Sequence, residues 1–158
     1  METKEKSTRR KAIKGLLATA AVGLGITKVN AAEKNSKPLK KVAGNITKSA
    51  EAPLFSGHTI YGNMVFIAGK GYHEEGDITV HTDNVLKSVE KELIKAGSSM
   101  DKVLKVNVYL HDLNDYKGMN EVYRGRFGDN PPVRTTVATF GGVPGDSLVE
   151  IDCIAYKD

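Results

Sequence analysis

The stretch NPPVRTTVATFGG, residues 130–142, decides the fold class of the C-terminal half of the chain. Two prolines end the preceding element, and the β-branched residues after them alternate in the pattern of a β-strand. Arg134 stands at the second position of this strand, on the same side as Ala138 and Phe140. Because a buried charge is costly unless it is compensated, the strand predicts either an internal ion pair or a bound anion at Arg134.

Working outward from this strand, the same patterns predict a ββαβαββ order of elements. A hairpin turns at Gly62-Asn63, and an amphipathic helix follows over residues 77–96. A third strand over 103–110 leads into a second helix that extends to Gly128, and a last strand covers residues 148–156. This order defines an α+β domain with one sheet and two helices on one of its faces.

The second face of the sheet has a mixed character. Polar and apolar residues share it, and the alternation assigns to it Arg134, Thr136, Ala138, Glu150 and Asp152. Such a face is too mixed for a hydrophobic core and too apolar for open water. The pattern therefore predicts that this face lies in a subunit interface.

Residues 1–31 have the three-part pattern of a secretory signal peptide, with cleavage expected near Ala31. Their apolar run, residues 15–26, is shorter than the roughly 20 residues that span a bilayer. No stable membrane anchor is expected after cleavage, although an uncleaved anchor is the alternative. Arg9-Arg10 resembles the twin-arginine export consensus, but ordinary secretory signals also contain such pairs. Either route predicts export, to the periplasm or the medium.

The remaining chain divides into a flexible linker, residues 32–52, and one folded domain, residues 53–158. Residues 1–31 hold seven basic and two acidic residues, which leaves 16 basic and 17 acidic residues elsewhere, net −1. This balance predicts no nucleic-acid partner. The single cysteine, Cys153, excludes an internal disulfide and a cysteine-based metal site, and its strand position favours a buried apolar role over a reactive thiol.

Four segments together resemble the RidA family, also called the YjgF/UK114 or L-PSP group. They are PPVRTTV, the segment VEIDCIAY with Glu150 sixteen residues after Arg134, VYLHDLNDYKGMNEVY and GNMVFIAG. The resemblance covers residues 52–156 and implies a chorismate-mutase-like fold of the bacillary type. It also implies a homotrimer whose sheets form a central barrel, with clefts between subunits. Members of the family hydrolyse reactive 2-imino and enamine acids to 2-keto acids and ammonia without a metal or organic cofactor.

The resemblance also implies a role for each matching residue. Arg134 would bind the substrate carboxylate through two parallel charge-assisted hydrogen bonds. Glu150 would position or deprotonate the attacking water. Asn120 would line the cleft from the second helix, and backbone groups of Ala68 and Gly69 would contact the substrate.

Three positions depart from the family pattern. Phe55, or Leu54, replaces a tyrosine of active members, and Ala68 replaces a serine. Thr136 stands where a cysteine is common. Because two hydroxyl groups are lost, carboxylate binding is expected to survive while the rate of imine hydrolysis is left open.

The sequence leaves open several other roles for the polar residues. Arg134 could instead form an ion pair with Glu150 or Asp152, and those two acids could form an acid/base pair. No metal site is expected, because the four histidines are scattered. The glycine-rich segment 69–77 lacks the Lys-Ser/Thr pair of a phosphate loop and suggests a cleft rim. The candidate functions are an imine deaminase, a non-catalytic carboxylate-binding module and, ranked last, a ribonuclease.

Overall fold

A computed structural model describes residues 38–48 and 50–158, which belong to one compact unit, Pro38–Asp158. The signal peptide predicted for residues 1–31 lies outside the described residues. The elements are β1 (Val42–Ile46), β2 (Ser56–Tyr61), β3 (Met64–Lys70), α1 (Ile78–Lys95), β4 (Val103–Leu110), α2 (Tyr116–Tyr123), β5 (Val133–Ala138) and β6 (Val149–Tyr156). Within these ranges, no helix has the length and apolar character needed to cross a lipid bilayer.

The six strands form one mixed sheet in the order β1-β2-β3-β6-β4-β5. Strands β4 and β5 run parallel, and every other neighbouring pair is antiparallel. The inward side chains of β3, β4 and β6 pack against α1 and α2 in one core, which includes Val65, Val106, Val108, Ile151, Leu86, Val89, Leu93 and Met119. The predicted α+β class, with two helices on one face, is confirmed.

Local sequence signals set the ends of the elements. Gly62 adopts φ 64°, which allows the tight turn between β2 and β3. Asp77 begins α1 by accepting hydrogen bonds from the backbone N–H groups of Thr79 and Val80. The second helix ends at Tyr123, before the predicted end at Gly128, because the backbone leaves the helical region at Arg124 and reaches φ 77° at Gly125.

The predicted flexible linker over residues 32–52 is wrong for residues 42–46. These residues form edge strand β1, which pairs with β2 from Val42 opposite Ile60 to Ile46 opposite Ser56. The folded domain therefore begins before residue 53. Sequence patterns missed β1 because most of its side chains are exposed, so no apolar alternation marks it. Strand β1 is held on the sheet by its backbone pairing with β2 and by the hydrogen bond that the Asn45 amide donates to Glu92 Oε2 at 2.8 Å.

Candidate functional site

The side chain of Arg134 lies on the helix-covered face of the sheet. In the parallel pair β4 and β5, Arg134 is in register with Val106, whose side chain is in the core. Glu150 is in register with Tyr109 and lies on the opposite face. The prediction that Arg134 and Glu150 share the uncovered face is therefore wrong. Alternation shows which residues of a strand share a side, but it does not show which side of an edge strand the helices cover.

Aromatic side chains of α2 surround the Arg134 guanidinium. Its Cζ lies 4.6 Å from the ring centroid of Tyr123 and 5.8 Å from that of Tyr116, distances typical of cation–π contacts. Its Nη2 donates a hydrogen bond to the Tyr116 hydroxyl at 3.3 Å, and its Nη1 lies 4.0 Å from Met119 Sδ. A guanidinium carries five N–H donors, so most of its donor capacity remains for an anion.

The alternative of an internal ion pair at Arg134 is wrong for the described part of the chain. Across residues 38–48 and 50–158, no carboxylate lies within 4.0 Å of its guanidinium nitrogens. The carboxylate of Asp152 is occupied elsewhere: it accepts from the Asn107 amide at 2.8 Å and from the Tyr109 hydroxyl at 3.1 Å. Burial, and then this bond to Asp152, raises the pKa of Tyr109.

A pocket of about 230 Å³ lies beside Arg134, between the end of α2 and the start of β5. Asn120 and Arg134 both line it, so the structure brings these two predicted site residues together. Thr136 lies on the same side of β5, in register with Val108. We call Arg134, Asn120 and Thr136 the arginine group.

Two buried hydroxyl groups near Arg134 have no hydrogen-bond partner within the described residues. They belong to Tyr123, which lines the pocket, and to Thr136. Burial raises the pKa of Tyr123 to about 12, although the Arg134 charge opposes this rise, so the phenol is neutral at physiological pH. Buried polar atoms are normally hydrogen-bonded, so these two hydroxyls are exceptions to that rule beside Arg134.

Glu150 and Gly69, two other predicted site residues, lie on the uncovered face. Gly69 lies against Glu150, and a methyl group built at Gly69 would overlap the Glu150 carboxylate. Phe55 and Ala68 line a second, open pocket of about 570 Å³. Within the described residues, the Glu150 carboxylate has no hydrogen bond or ion pair. We call Glu150, Gly69, Ala68 and Phe55 the glutamate group.

A β-bulge places backbone groups of the glutamate group at the surface. Ile67 pairs with Cys153 and Lys70 pairs with Ile151, so Ala68 and Gly69 together oppose the single residue between the two partners. An extra residue in a strand interrupts the hydrogen-bond ladder and leaves backbone groups unpaired. This geometry explains how Ala68 and Gly69 could contact a ligand through their backbone.

Metal-binding side chains and the single cysteine are the other possible reactive centres of the chain. No three His, Cys, Asp or Glu side chains come close enough to hold a metal ion in the part of the chain that is described. Cys153 is buried on the helix-covered face, and burial raises the pKa of its thiol to about 12. The predicted apolar role of Cys153 is confirmed, because a thiol with this pKa stays protonated.

Sequence patterns missed the roles of Tyr116 and Tyr123. Both residues fall within the predicted second helix, and no motif in the sequence singles them out. Their spacing of two helical turns was the available signal, since it places two aromatic rings along one stripe next to β5.

The fold and the unpaired Arg134 together define an α+β domain with a candidate anion site at the margin of its sheet. Residues 46–157 match the family model described as Endoribonuclease L-PSP. A RutC family protein of Pyrococcus abyssi is 39% identical over 121 residues, covering 71% of this chain and 94% of that protein. The chain therefore belongs to the RidA family, also called the YjgF/UK114 or L-PSP family, as the sequence motifs predicted.

Solved structures agree with this assignment. Yeast Mmf1 has a TM-score of 0.66 at 26% identity, covering 77% of this chain and 100% of that one. E. coli TdcF, whose crystal structure contains bound serine, has a TM-score of 0.63 at 25% identity, covering 73% of this chain and 94% of that one. The predicted chorismate-mutase-like fold is confirmed, and family membership supports a role in processing small molecules.

Proposed function

We propose that this protein is a deaminase of the RidA type, which hydrolyses reactive 2-imino and enamine acids to 2-keto acids and ammonia. The observation that carries the proposal is the half-buried Arg134 guanidinium, which has no carboxylate partner among the described residues and borders a pocket. A small 2-imino acid carries the carboxylate that would complete this site. Arg134 binds that group bidentately and fixes the orientation of the adjacent imine carbon.

Glu150 supplies the second half of the chemistry in this proposal. An enamine first tautomerises to the imine, and a water molecule then forms a bond from its oxygen to the imine carbon. Glu150 accepts a proton from this water and passes it to the imine nitrogen, which gives a carbinolamine with one hydroxyl and one amino group. Glu150 then moves the hydroxyl proton to the amino nitrogen, the C–N bond breaks to release ammonia, and the C=O bond of the 2-keto acid forms. General-base assistance of this kind contributes about 10²- to 10⁴-fold.

The positions of the two groups support a site that is shared between subunits. The arginine group lies on the helix-covered side at edge strand β5, whereas the glutamate group lies on the uncovered face near β3. One chain does not bring them to one point. We therefore propose a homotrimer in which the arginine group of one subunit faces the glutamate group of its neighbour.

Exposed apolar side chains favour this assembly. Phe66, Val133 and Val137 alternate away from the core-facing residues and are 39%, 69% and 45% exposed, and Phe55 is 70% exposed. Apolar side chains grouped on a sheet face are typical of protein interfaces. Light scattering of the purified chain is expected to give the mass of three subunits, and the mass of one subunit would contradict the assembly.

The activity is tested with the purified full-length chain and imines generated by an amino-acid oxidase. We expect faster 2-keto acid formation with the wild-type protein than with Arg134→Ala. Lys117→Ala is the matched control, because it removes an exposed positive charge from the same helix that contacts Arg134. Equal rates for the wild type and Arg134→Ala would remove the deaminase from consideration.

A non-catalytic carboxylate-binding module is the second candidate. The residues at the second pocket favour it, since Phe55 and Ala68 offer no hydroxyl group to the bound amine or water. Tight binding of 2-oxobutanoate without imine hydrolysis would support this module over the enzyme. Ribonuclease activity, which the name of the matching family model suggests, ranks third because the chain outside residues 1–31 has a net charge of −1. RNA cleavage that disappears in Arg134→Ala would support it.

We further propose that the protein acts after export, on the basis of the signal pattern of residues 1–31. Mass spectrometry of the periplasmic and secreted fractions is expected to find a chain that begins close to residue 32. An intact N-terminus in the cytoplasmic fraction alone would contradict this localisation.

A further inference from the structure

The hydroxyl of Tyr116 lies beside the group that is proposed to bind the substrate. Tyr116 is the first residue of α2 and is 43% exposed. Its hydroxyl oxygen accepts a hydrogen bond from Arg134 Nη2 at 3.3 Å. The hydroxyl is therefore located at the edge of the guanidinium, where it is open to solvent and to a ligand.

The Tyr116 hydroxyl can still donate one hydrogen bond while it accepts from Arg134. A tyrosine hydroxyl that accepts from a guanidinium keeps its own proton for a second bond. Among the described residues, no acceptor takes this proton. A carboxylate bound at Nη2 would lie about 2.9 Å from that nitrogen, next to the Tyr116 hydroxyl.

Tyr123 fixes the direction in which the guanidinium presents its donors. Tyr123 is 9% exposed, and the centroid of its ring lies 4.6 Å from Arg134 Cζ, so the ring restricts the guanidinium on one side. The Tyr116 hydroxyl then limits the guanidinium at its edge. With both contacts in place, the free donors of Arg134 and of Tyr116 are positioned for one anion.

We infer that Tyr116 is a further substrate-binding residue, whose hydroxyl donates a hydrogen bond to the same carboxylate that Arg134 binds. This inference rests on the proposed function, because that function supplies the carboxylate. It assigns to this chain a phenol donor in addition to the arginine, in a site where Phe55 and Ala68 carry no hydroxyl. The class of ligand is a small 2-keto or 2-imino carboxylate.

The test measures binding of 2-oxobutanoate to the full-length chain by isothermal titration calorimetry. Tyr116→Phe keeps the ring and removes only the hydroxyl, so its melting temperature should match that of the wild type. We expect the dissociation constant to rise about tenfold, as for the loss of one hydrogen bond to a charged group. Tyr61→Phe is the matched control, because it removes a hydroxyl from a tyrosine that is 51% exposed at the end of β2 and should leave the affinity unchanged.

The outcomes separate this inference from the function on which it rests. A tenfold weaker affinity in Tyr116→Phe but not in Tyr61→Phe supports the inference. An affinity of Tyr116→Phe within twofold of the wild type overturns it and leaves carboxylate binding by Arg134 intact. A wild-type chain that binds no 2-oxobutanoate, together with an unaffected imine turnover in Arg134→Ala, overturns the proposed function and the inference with it.

Discussion

A mixture of two inactive variants should regain activity if Arg134 and Glu150 of different subunits form one site. Arg134→Ala removes the bidentate carboxylate contact, and Glu150→Gln removes the general base. Two lost charge-assisted hydrogen bonds of about 1.5 kcal/mol or more each predict a loss of at least about 10²-fold in kcat/KM for the first variant. Glu150→Gln should lower kcat/KM by about 10²- to 10⁴-fold.

The geometry fixes how much activity the mixture regains. In a cyclic trimer, each site takes its arginine from one subunit and its glutamate from the next. Any trimer that contains both variants has one site in which both residues are intact, whichever variant is in the majority. Isolated mixed trimers should therefore have about one third of the wild-type activity.

The assay uses the two full-length variants co-expressed with different affinity tags and purified over both tags in succession. Imine hydrolysis is then measured as described for the wild type. Each variant purified alone, and the two mixed after separate purification, provide the background. If doubly tagged assemblies are no more active than either variant alone, then Arg134 and Glu150 do not act across a subunit boundary, and the placement of the two groups has been misinterpreted.

Three further predictions follow from contacts of single residues. Gly69→Ala should lower kcat at least about tenfold and leave the 2-oxobutanoate affinity within about twofold, because the added methyl group displaces the Glu150 carboxylate and not the arginine group. Imine turnover measures the first effect and calorimetry the second, and an unchanged kcat would contradict the prediction. Burial would raise the pKa of Glu92, but the hydrogen bond from His58 at 2.8 Å and nearby lysine charges outweigh burial and lower it. Because the folded-state pKa of Glu92 lies below its ordinary value of 4.5, its contribution to the free energy of unfolding is present above that pH and is lost as the pH falls through the folded-state pKa. Urea titrations from pH 7 to pH 3 should therefore show a smaller decrease in the free energy of unfolding for Glu92→Gln than for the wild type. Parallel pH dependences of the two proteins would contradict this prediction. Cys153 should react with a thiol reagent only in denaturant, since it is buried with a pKa raised to about 12; rapid labelling of the native chain would contradict this burial.

The sequence was sufficient to predict the elements of the sheet that carry apolar alternation. Val106, Val108, Ile151 and Cys153 alternate with polar residues, and all four are in the core as expected. Strand β1 could not be found in this way. It contributes backbone hydrogen bonds to an edge and few buried side chains, and a period-2 pattern appears only where one face is buried.

The sequence predicted which residues belong to the candidate site, but it did not predict on which side of the sheet each of them lies. Arg134 and Asn120 were expected to lie near each other, and they line one pocket. The side of the sheet on which Arg134 lies depends on the register between β4 and β5, and register between strands distant in sequence is a tertiary property. The contacts of Tyr116 and Tyr123 with Arg134 depend on the same register, which explains why the sequence alone did not identify these aromatic residues as neighbours of a guanidinium.

The backbone groups that the bulge in β3 exposes depend on the number of residues in the bulge more than on which side chains those residues carry. Two residues, Ala68 and Gly69, occupy the space that one residue would fill in a regular ladder. Loss of either by deletion would restore ordinary strand pairing with β6 and withdraw the exposed amide and carbonyl groups, whatever residue remained. Evolution of this pocket toward new ligands can therefore vary the side chain at position 68, while the number of residues between Ile67 and Lys70 has to stay constant.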